Sequence, residues 1–98
     1  ILIHSKENNP SQIFSFEKKF IKSKFYRPMV AVPSTYSKTY EKELIKHEFK
    51  IVIYANQLMR AAYPAMLSAA KSILYNKRAF EIENEISPIK EILNLIKK

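Results

Sequence analysis

The chain has 98 residues and a hydrophobic fraction of 47%, so its composition favours one small globular domain and argues against disorder. It contains neither glycine nor cysteine, which excludes a glycine-rich phosphate loop, a disulfide and a cysteine nucleophile within these residues. The net charge of +8 permits a polyanionic partner, yet the lysines are spread and many alternate with glutamate on predicted helices. No apolar stretch is long enough to span a membrane and no signal peptide is visible, so we expect a cytoplasmic protein.

Two short apolar runs predict buried strands at residues 29–33 and 51–55. Neither run alternates polar with apolar residues, which is typical of parallel strands covered on both faces. Between them, residues 40–48 carry Tyr40, Leu44 and Ile45 at helical spacing beside charged residues. A strand, a helix and a second strand at this spacing predict a βαβ unit and therefore an α/β protein.

The same rhythm occurs upstream, with a predicted strand at 1–4 and a predicted helix at 10–22. Asn9 is the expected N-cap of this helix and Gln12 its capping-box partner, while Glu17 is expected on the solvent face. The expected apolar face consists of Ile13, Phe16, Phe20 and Ile21. With the helix at 57–76, the chain holds three successive βα units. Three parallel strands cannot close a barrel, so we favour part of a larger sheet over a free-standing sub-domain.

The segment 57–76 predicts a long helix that is apolar around most of its circumference. Such a helix must be buried on all sides, so we expect a second covering surface, another subunit of a homo-oligomer. The alternative is the central helix of a small bundle. Pro64 should bend the helix near Arg60. After a short acidic helix or loop at 79–85, a terminal helix is predicted to start with Ser87 as its N-cap and Pro88 at its first position.

Polar residues follow each predicted strand, and they are the candidates for chemistry. His4, Ser5 and Lys6 follow the first strand, where imidazole, hydroxyl and ammonium groups suit an anionic ligand. Residues 34–35 and 56–57 occupy the equivalent places after the other two strands, and the three ends should converge on one rim if the strands are parallel neighbours. The alternative for 4–6 is an ordinary strand-end turn. His47 is expected on a solvated helix face.

The chain contains no aspartate, and no pair of carboxylates follows a strand. We therefore expect no catalytic residue and no metal ligand within these 98 residues.

In this order and spacing, the motifs resemble the C-terminal third of the phosphoenolpyruvate mutase family, within the isocitrate lyase superfamily. The resemblance covers nearly the whole chain and rests on segments 1–6, 9–11, 28–36, 51–57, 60–66 and 88–92. It implies the last three βα units of a (β/α)8 barrel in residues 1–56. Residues 57–78 would form a protruding eighth helix swapped onto a partner subunit, and residues 79–98 the terminal helix.

The resemblance also implies a chemistry, the movement of the phosphoryl group of phosphoenolpyruvate from oxygen to carbon to give phosphonopyruvate in phosphonate biosynthesis. His4 would contact the migrating phosphoryl group, and Ser5 would be a second substrate-binding residue beside it. Mg²⁺, its ligands and an acceptor aspartate would belong to upstream parts of the parent enzyme, so the 98 residues alone should be inactive. Gln57 stands where the family commonly has histidine, so the family role of that position is not carried over to Gln57.

Two alternatives remain. Phosphonopyruvate hydrolase, or another carbon–carbon or carbon–phosphorus lyase of the superfamily, would share these motifs. A small basic helical module that binds nucleic acid is the remote alternative, motivated only by the charge of +8.

Overall fold

The computed structural model describes residues 1–97 and places strands before helices in the first half of the chain and helices alone in the second. The first unit, Ile1–Gln57, contains β1 (Leu2–Ile3), α1 (Ser11–Phe20), β2 (Met29–Ala31), α2 (Glu41–Lys46) and β3 (Phe49–Val52). The second unit, from Leu58 onward, contains nearly all of α3 (Gln57–Asn76), a 3₁₀ helix (Phe80–Glu85) and α4 (Ile89–Asn94).

The three strands form one parallel sheet in the order β1-β2-β3, as the two βαβ units predict. Leu2 pairs with Val30, and Val30 pairs with Ile51, after a bulge between Met29 and Val30. The predicted bounds of the third strand are wrong, because β3 begins at Phe49 and ends at Val52. The preceding helix is shorter than predicted, so Phe49 enters the sheet.

The core of the first unit lies on one face of the sheet, against α1 and α2. Its buried side chains come from both helices, from two strands and from the loop that follows β2: Ile13, Met29, Ala31, Tyr36, Leu44 and Phe49. This apolar face of α1 and α2 is narrower than the sequence suggests, since Phe16, Ile21, Tyr40 and Ile45 are exposed. Helical periodicity predicted both helices. Of the apolar residues that it assigned to their buried faces, only Ile13 in α1 and Leu44 in α2 are deeply buried.

The opposite face of the sheet is apolar but uncovered. The register places Leu2, Val30 and Ile51 in one row on this face, which we call the open face. Leu2 is 56% exposed and Ile51 is 55% exposed, so the prediction that the strands are covered on both faces is wrong for this chain. Each large apolar side chain left in water forgoes about 1.5–3 kcal/mol of burial. The open face therefore needs a covering layer that the described residues do not supply.

Two helices end without the glycine that usually follows a helix. Glu48 and Lys77 take positive φ values of 60° and 57° just beyond α2 and α3. This left-handed conformation normally favours glycine, because a side chain crowds the neighbouring carbonyl. A chain with no glycine must place other residues there.

The start of α1 differs from the predicted capping box. Asn9 Oδ1 accepts a hydrogen bond from the Ser11 backbone N–H at 3.0 Å, so Asn9 does satisfy a helix-start donor. Pro10 occupies the N-cap position, and Gln12 turns away to bind the Ser5 hydroxyl. The helix begins one residue later and ends two residues earlier than predicted.

In the second unit, α3 has the predicted bounds and contains Pro64, and none of its residues is buried. The acidic segment after it forms a 3₁₀ helix that buries Ile82. In α4 the N-cap is Pro88 rather than Ser87, and the helix begins at Ile89.

Candidate functional site

The polar residues after the three strands lie together at the carboxyl edge of the sheet. The Thr35 hydroxyl, after β2, donates a hydrogen bond of 2.6 Å to the Ser5 backbone carbonyl, after β1. Asn56 Nδ2, after β3, contacts Ser34 Oγ at 3.4 Å. We call the set His4, Ser5, Ser34, Thr35 and Asn56 the strand-end rim. The predicted convergence of the three strand ends is confirmed, because parallel neighbours bring their carboxyl ends to the same edge.

His4 is the member of the strand-end rim with a titratable side chain. It is exposed, and its imidazole centroid lies 6.3 Å from the centroid of the Tyr36 ring, with the two planes tilted by 37°. It also lines a cavity of about 260 Å³ with Ile3, Gln12, Ile13 and Phe16. An exposed imidazole can donate a hydrogen bond from either ring nitrogen when protonated, which suits an anionic oxygen.

Ser5 is buried, and its side chain is already engaged. Its hydroxyl donates to Gln12 Oε1 at 2.6 Å and accepts from the Glu7 backbone N–H at 3.1 Å. A serine hydroxyl has one donor hydrogen, so Ser5 has none left for a ligand in this arrangement. The structure therefore presents His4 at the surface and uses Ser5 to fix the turn beside it.

Tyr36 is a polar residue near the rim that sequence reasoning did not single out. Its side chain is fully buried, and its hydroxyl has no hydrogen-bond partner among the described residues. Burial raises the pKa of the Tyr36 hydroxyl, an effect that the Val32 backbone only partly offsets. The sequence did carry a signal, since an aromatic residue in a turn of polar residues directly after a buried strand is placed to fold back onto the sheet.

Asn56 also carries an unpaired polar atom. Its Oδ1 is buried and has no partner within residues 1–97, whereas its Nδ2 reaches Ser34. The neighbouring Gln57 Oε1 accepts a hydrogen bond of 3.2 Å from the Asn56 backbone N–H. The Gln57 side chain therefore hydrogen-bonds to the backbone of a rim residue.

Glu17 and His47 form a titratable pair away from the rim, and their positions correct two interpretations of the sequence. His47 Nδ1 lies 3.0 Å from Glu17 Oε2, and the His47 ring stacks on Phe14 with centroids 3.6 Å apart. Both residues were expected in solvent, but the Glu17 side chain is 7% exposed and the His47 side chain 28% exposed. The pair joins α1 to the C-terminal end of α2. We therefore assign it to the packing of the fold.

Within residues 1–97, no three histidine, cysteine or acidic side chains lie close enough together to hold a metal ion. In the same part of the chain, no helix is both long and apolar enough to cross a membrane.

Comparison with known proteins places the chain beside two related enzymes. No family model matches it. The chain is 32% identical to the phosphoenolpyruvate phosphomutase of Streptomyces hygroscopicus over 95 residues, which are 97% of this chain and 29% of that protein. It is 31% identical to the phosphonopyruvate hydrolase of a Variovorax species over 96 residues, 97% of this chain and 32% of that protein. The chain thus spans about three tenths of the length of these relatives.

Solved structures agree with the sequence comparison. A phosphoenolpyruvate phosphomutase from Streptomyces platensis subsp. rosaceus matches with a TM-score of 0.82 and 32% identity, over 96% of this chain and 32% of that one. A phosphonopyruvate hydrolase in complex with oxalate and Mg²⁺ matches with a TM-score of 0.80 and 31% identity, over 97% of this chain and 33% of that one. The α/β fold with its parallel sheet is therefore shared with these proteins.

Proposed function

We propose that this chain, a homologue of the phosphoenolpyruvate phosphomutases over 97% of its residues and equivalent to their C-terminal segment, belongs to an enzyme that interconverts phosphoenolpyruvate and phosphonopyruvate. The single observation that carries the proposal is the match in both sequence and structure, at 32% identity and a TM-score of 0.82. A mutase moves a phosphoryl group within one molecule, so its site must hold the dianionic group at both ends of its path.

The open face supports a barrel for the parent protein. Its apolar row of Leu2, Val30 and Ile51 is what the inner layer of a closed barrel requires, since inward side chains fill the barrel as packed layers. In this proposal β1, β2 and β3 are the sixth, seventh and eighth strands, and residues 1–56 complete a (β/α)8 barrel. The strand-end rim then lies at the carboxyl edge, where barrel enzymes build their sites.

His4 is the residue of this chain that would act on the substrate. Its exposed imidazole can donate a hydrogen bond to a phosphoryl oxygen and so hold the group while its bond to carbon or oxygen changes. Ser5 would keep the adjacent turn in place through Gln12 and Glu7. Under this proposal, Mg²⁺ in the parent enzyme would take its ligands from upstream residues outside this chain, as the family resemblance implies.

Phosphonopyruvate hydrolase is the second candidate, because one relative and one solved structure carry that activity in their names at 31% identity. The two activities differ in which group accepts the phosphoryl group. In the hydrolase the group passes to water and pyruvate is released, whereas in the mutase it returns to the enolate oxygen.

The parent is further proposed to be a homo-oligomer in which α3, with residues 77–78, protrudes and packs on a neighbouring chain. All twenty residues of α3 lack burial, and Leu58, Met59, Met66 and Leu74 are among its exposed apolar side chains. A contiguous apolar surface of this kind usually marks an interface. A cytoplasmic location remains a prediction from the sequence.

A chimera tests the proposed activity. The 98 residues would replace the corresponding segment of the Streptomyces hygroscopicus phosphomutase, and phosphonopyruvate conversion would be followed by ³¹P NMR. We expect phosphoenolpyruvate as the product, and a folded chimera without turnover would contradict the proposed function. The 98-residue chain alone should give no turnover.

Variants of the chimera test the role of His4. Loss of a hydrogen bond to a charged group is worth about 1.5–3 kcal/mol, so His4→Gln should lower kcat/KM by about 10- to 100-fold. Lys50→Gln is the matched control, because it removes a positive charge near the amino end of β3, at the edge of the sheet opposite to His4. An unchanged kcat/KM in His4→Gln, or an equal loss in Lys50→Gln, would contradict the assignment.

A further inference from the structure

The loop after β2 contacts two consecutive residues at the end of β1. The Thr35 hydroxyl donates to the Ser5 carbonyl at 2.6 Å, across 30 positions of sequence. The next residue, Tyr36, lies with its ring 6.3 Å from the His4 ring. Adjacent residues of one loop therefore reach adjacent residues of the other.

Ser5 is held at three points, all of them hydrogen bonds. Its hydroxyl binds Gln12 Oε1 and the Glu7 N–H, and its carbonyl binds Thr35. The first two bonds are local, to residues within seven positions: one is to Glu7 in the β1–α1 connection and the other to Gln12 in the first turn of α1. Thr35 supplies the long-range bond, which ties this connection to the second strand of the sheet. The peptide plane after Ser5 is thereby fixed relative to β2.

We propose that Thr35 is a positioning residue that sets the orientation of His4 by anchoring the Ser5 carbonyl. An exposed imidazole on an unanchored turn would sample many rotamers and backbone angles. Ordering it on binding of a phosphoryl group would then cost conformational entropy and weaken binding. The Thr35 bond fixes the backbone on one side of His4, and the Tyr36 ring limits the space on the other. The consequence for catalysis rests on the proposed function, whereas the anchoring itself does not.

Thr35→Val tests the anchor, because valine keeps the shape of threonine and removes the hydroxyl. Thr35→Ser is the rescue variant, since it keeps the hydroxyl and removes the methyl group. In the ¹³C,¹⁵N-labelled chain without ligand, Thr35→Val should move the Ser5 carbonyl resonance and the His4 ring resonances, and Thr35→Ser should return them. Tyr54→Phe, which removes a hydroxyl bonded to Glu41, is the control and should leave them unchanged.

Kinetics of the chimera test the consequence for catalysis. Loss of one neutral hydrogen bond predicts that Thr35→Val lowers kcat/KM by about 2- to 10-fold. In a His4→Gln background the same substitution should have no further effect, because a residue that acts through His4 has nothing left to position. A purely structural role would instead give the same loss in both backgrounds.

The two measurements separate the ways of failing. Ser5 and His4 resonances that stay at their wild-type positions in Thr35→Val would overturn the anchor, and equal kinetic losses with and without His4 would overturn the positioning role. A chimera with no turnover before any substitution would overturn the proposed function, and the ligand-free resonances would still decide the anchoring.

Discussion

Replacing His47 by phenylalanine isolates the contribution of the buried pair to stability. The new ring can still stack on Phe14, so the change mainly removes the partner of Glu17. Glu17 would then keep a nearly buried carboxylate without its hydrogen bond. A hydrogen bond to a charged group is worth about 1.5–3 kcal/mol. Breaking a fully buried ion pair costs about 3–5 kcal/mol, and the partial exposure of His47 places this pair in the lower range.

Urea unfolding at pH 7, followed by far-ultraviolet circular dichroism, measures this loss. With a slope of about 1–1.5 kcal/mol/M for a unit of this size, the midpoint should fall by roughly 1–3 M. The double substitution Glu17→Met with His47→Phe should recover most of the loss, because an apolar pair of similar volume carries no buried charge. Lys50→Ala breaks the exposed pair with Glu48 and should leave the midpoint unchanged.

Two outcomes would refute this reasoning. One is a midpoint for His47→Phe within error of the wild type, which would mean that the Glu17 side chain does not depend on the hydrogen bond to His47. The other is a double variant no more stable than His47→Phe, which would mean that the loss came from packing around the ring.

Three further predictions concern the core, the buried hydroxyl and the long helix. Leu44→Ala should lower the free energy of unfolding by about 2–5 kcal/mol because Leu44 is fully buried, whereas Ile45→Ala, at an exposed neighbour, should change it little; equal urea midpoints would contradict the core. Burial raises the pKa of Tyr36, so above about pH 10 the unfolded chain loses this proton while the folded chain keeps it. The free energy of unfolding should therefore fall as pH rises. In urea titrations, Tyr36→Phe should remove that part of the alkaline decline and should raise the midpoint at pH 7. Met66→Glu should dissociate the proposed oligomer by placing an unpaired charge in the interface, and light scattering that shows a monomer before the substitution would end that proposal.

The sequence by itself determined the order of the elements and the edge at which the polar residues meet. Short apolar runs and helical periodicity are local properties, so they identified three parallel strands and the bounds of α3. Parallel pairing then brought the residues after β1, β2 and β3 to one rim without further information. The family resemblance also followed from local motifs, and the comparisons confirm it.

Only the tertiary structure decided which partner each polar side chain has. Glu17 and His47 each lie among charged neighbours, and hydrophobic periodicity placed both in solvent because it cannot register a partner 30 residues away. Gln12 fits a helix cap by spacing, but the buried Ser5 hydroxyl competes for it. β3 starts directly after the left-handed residue Glu48, and the sequence does not indicate this turn because no glycine marks the end of α2. Local patterns set which segments fold, whereas burial and hydrogen bonding between distant segments set what each polar group does.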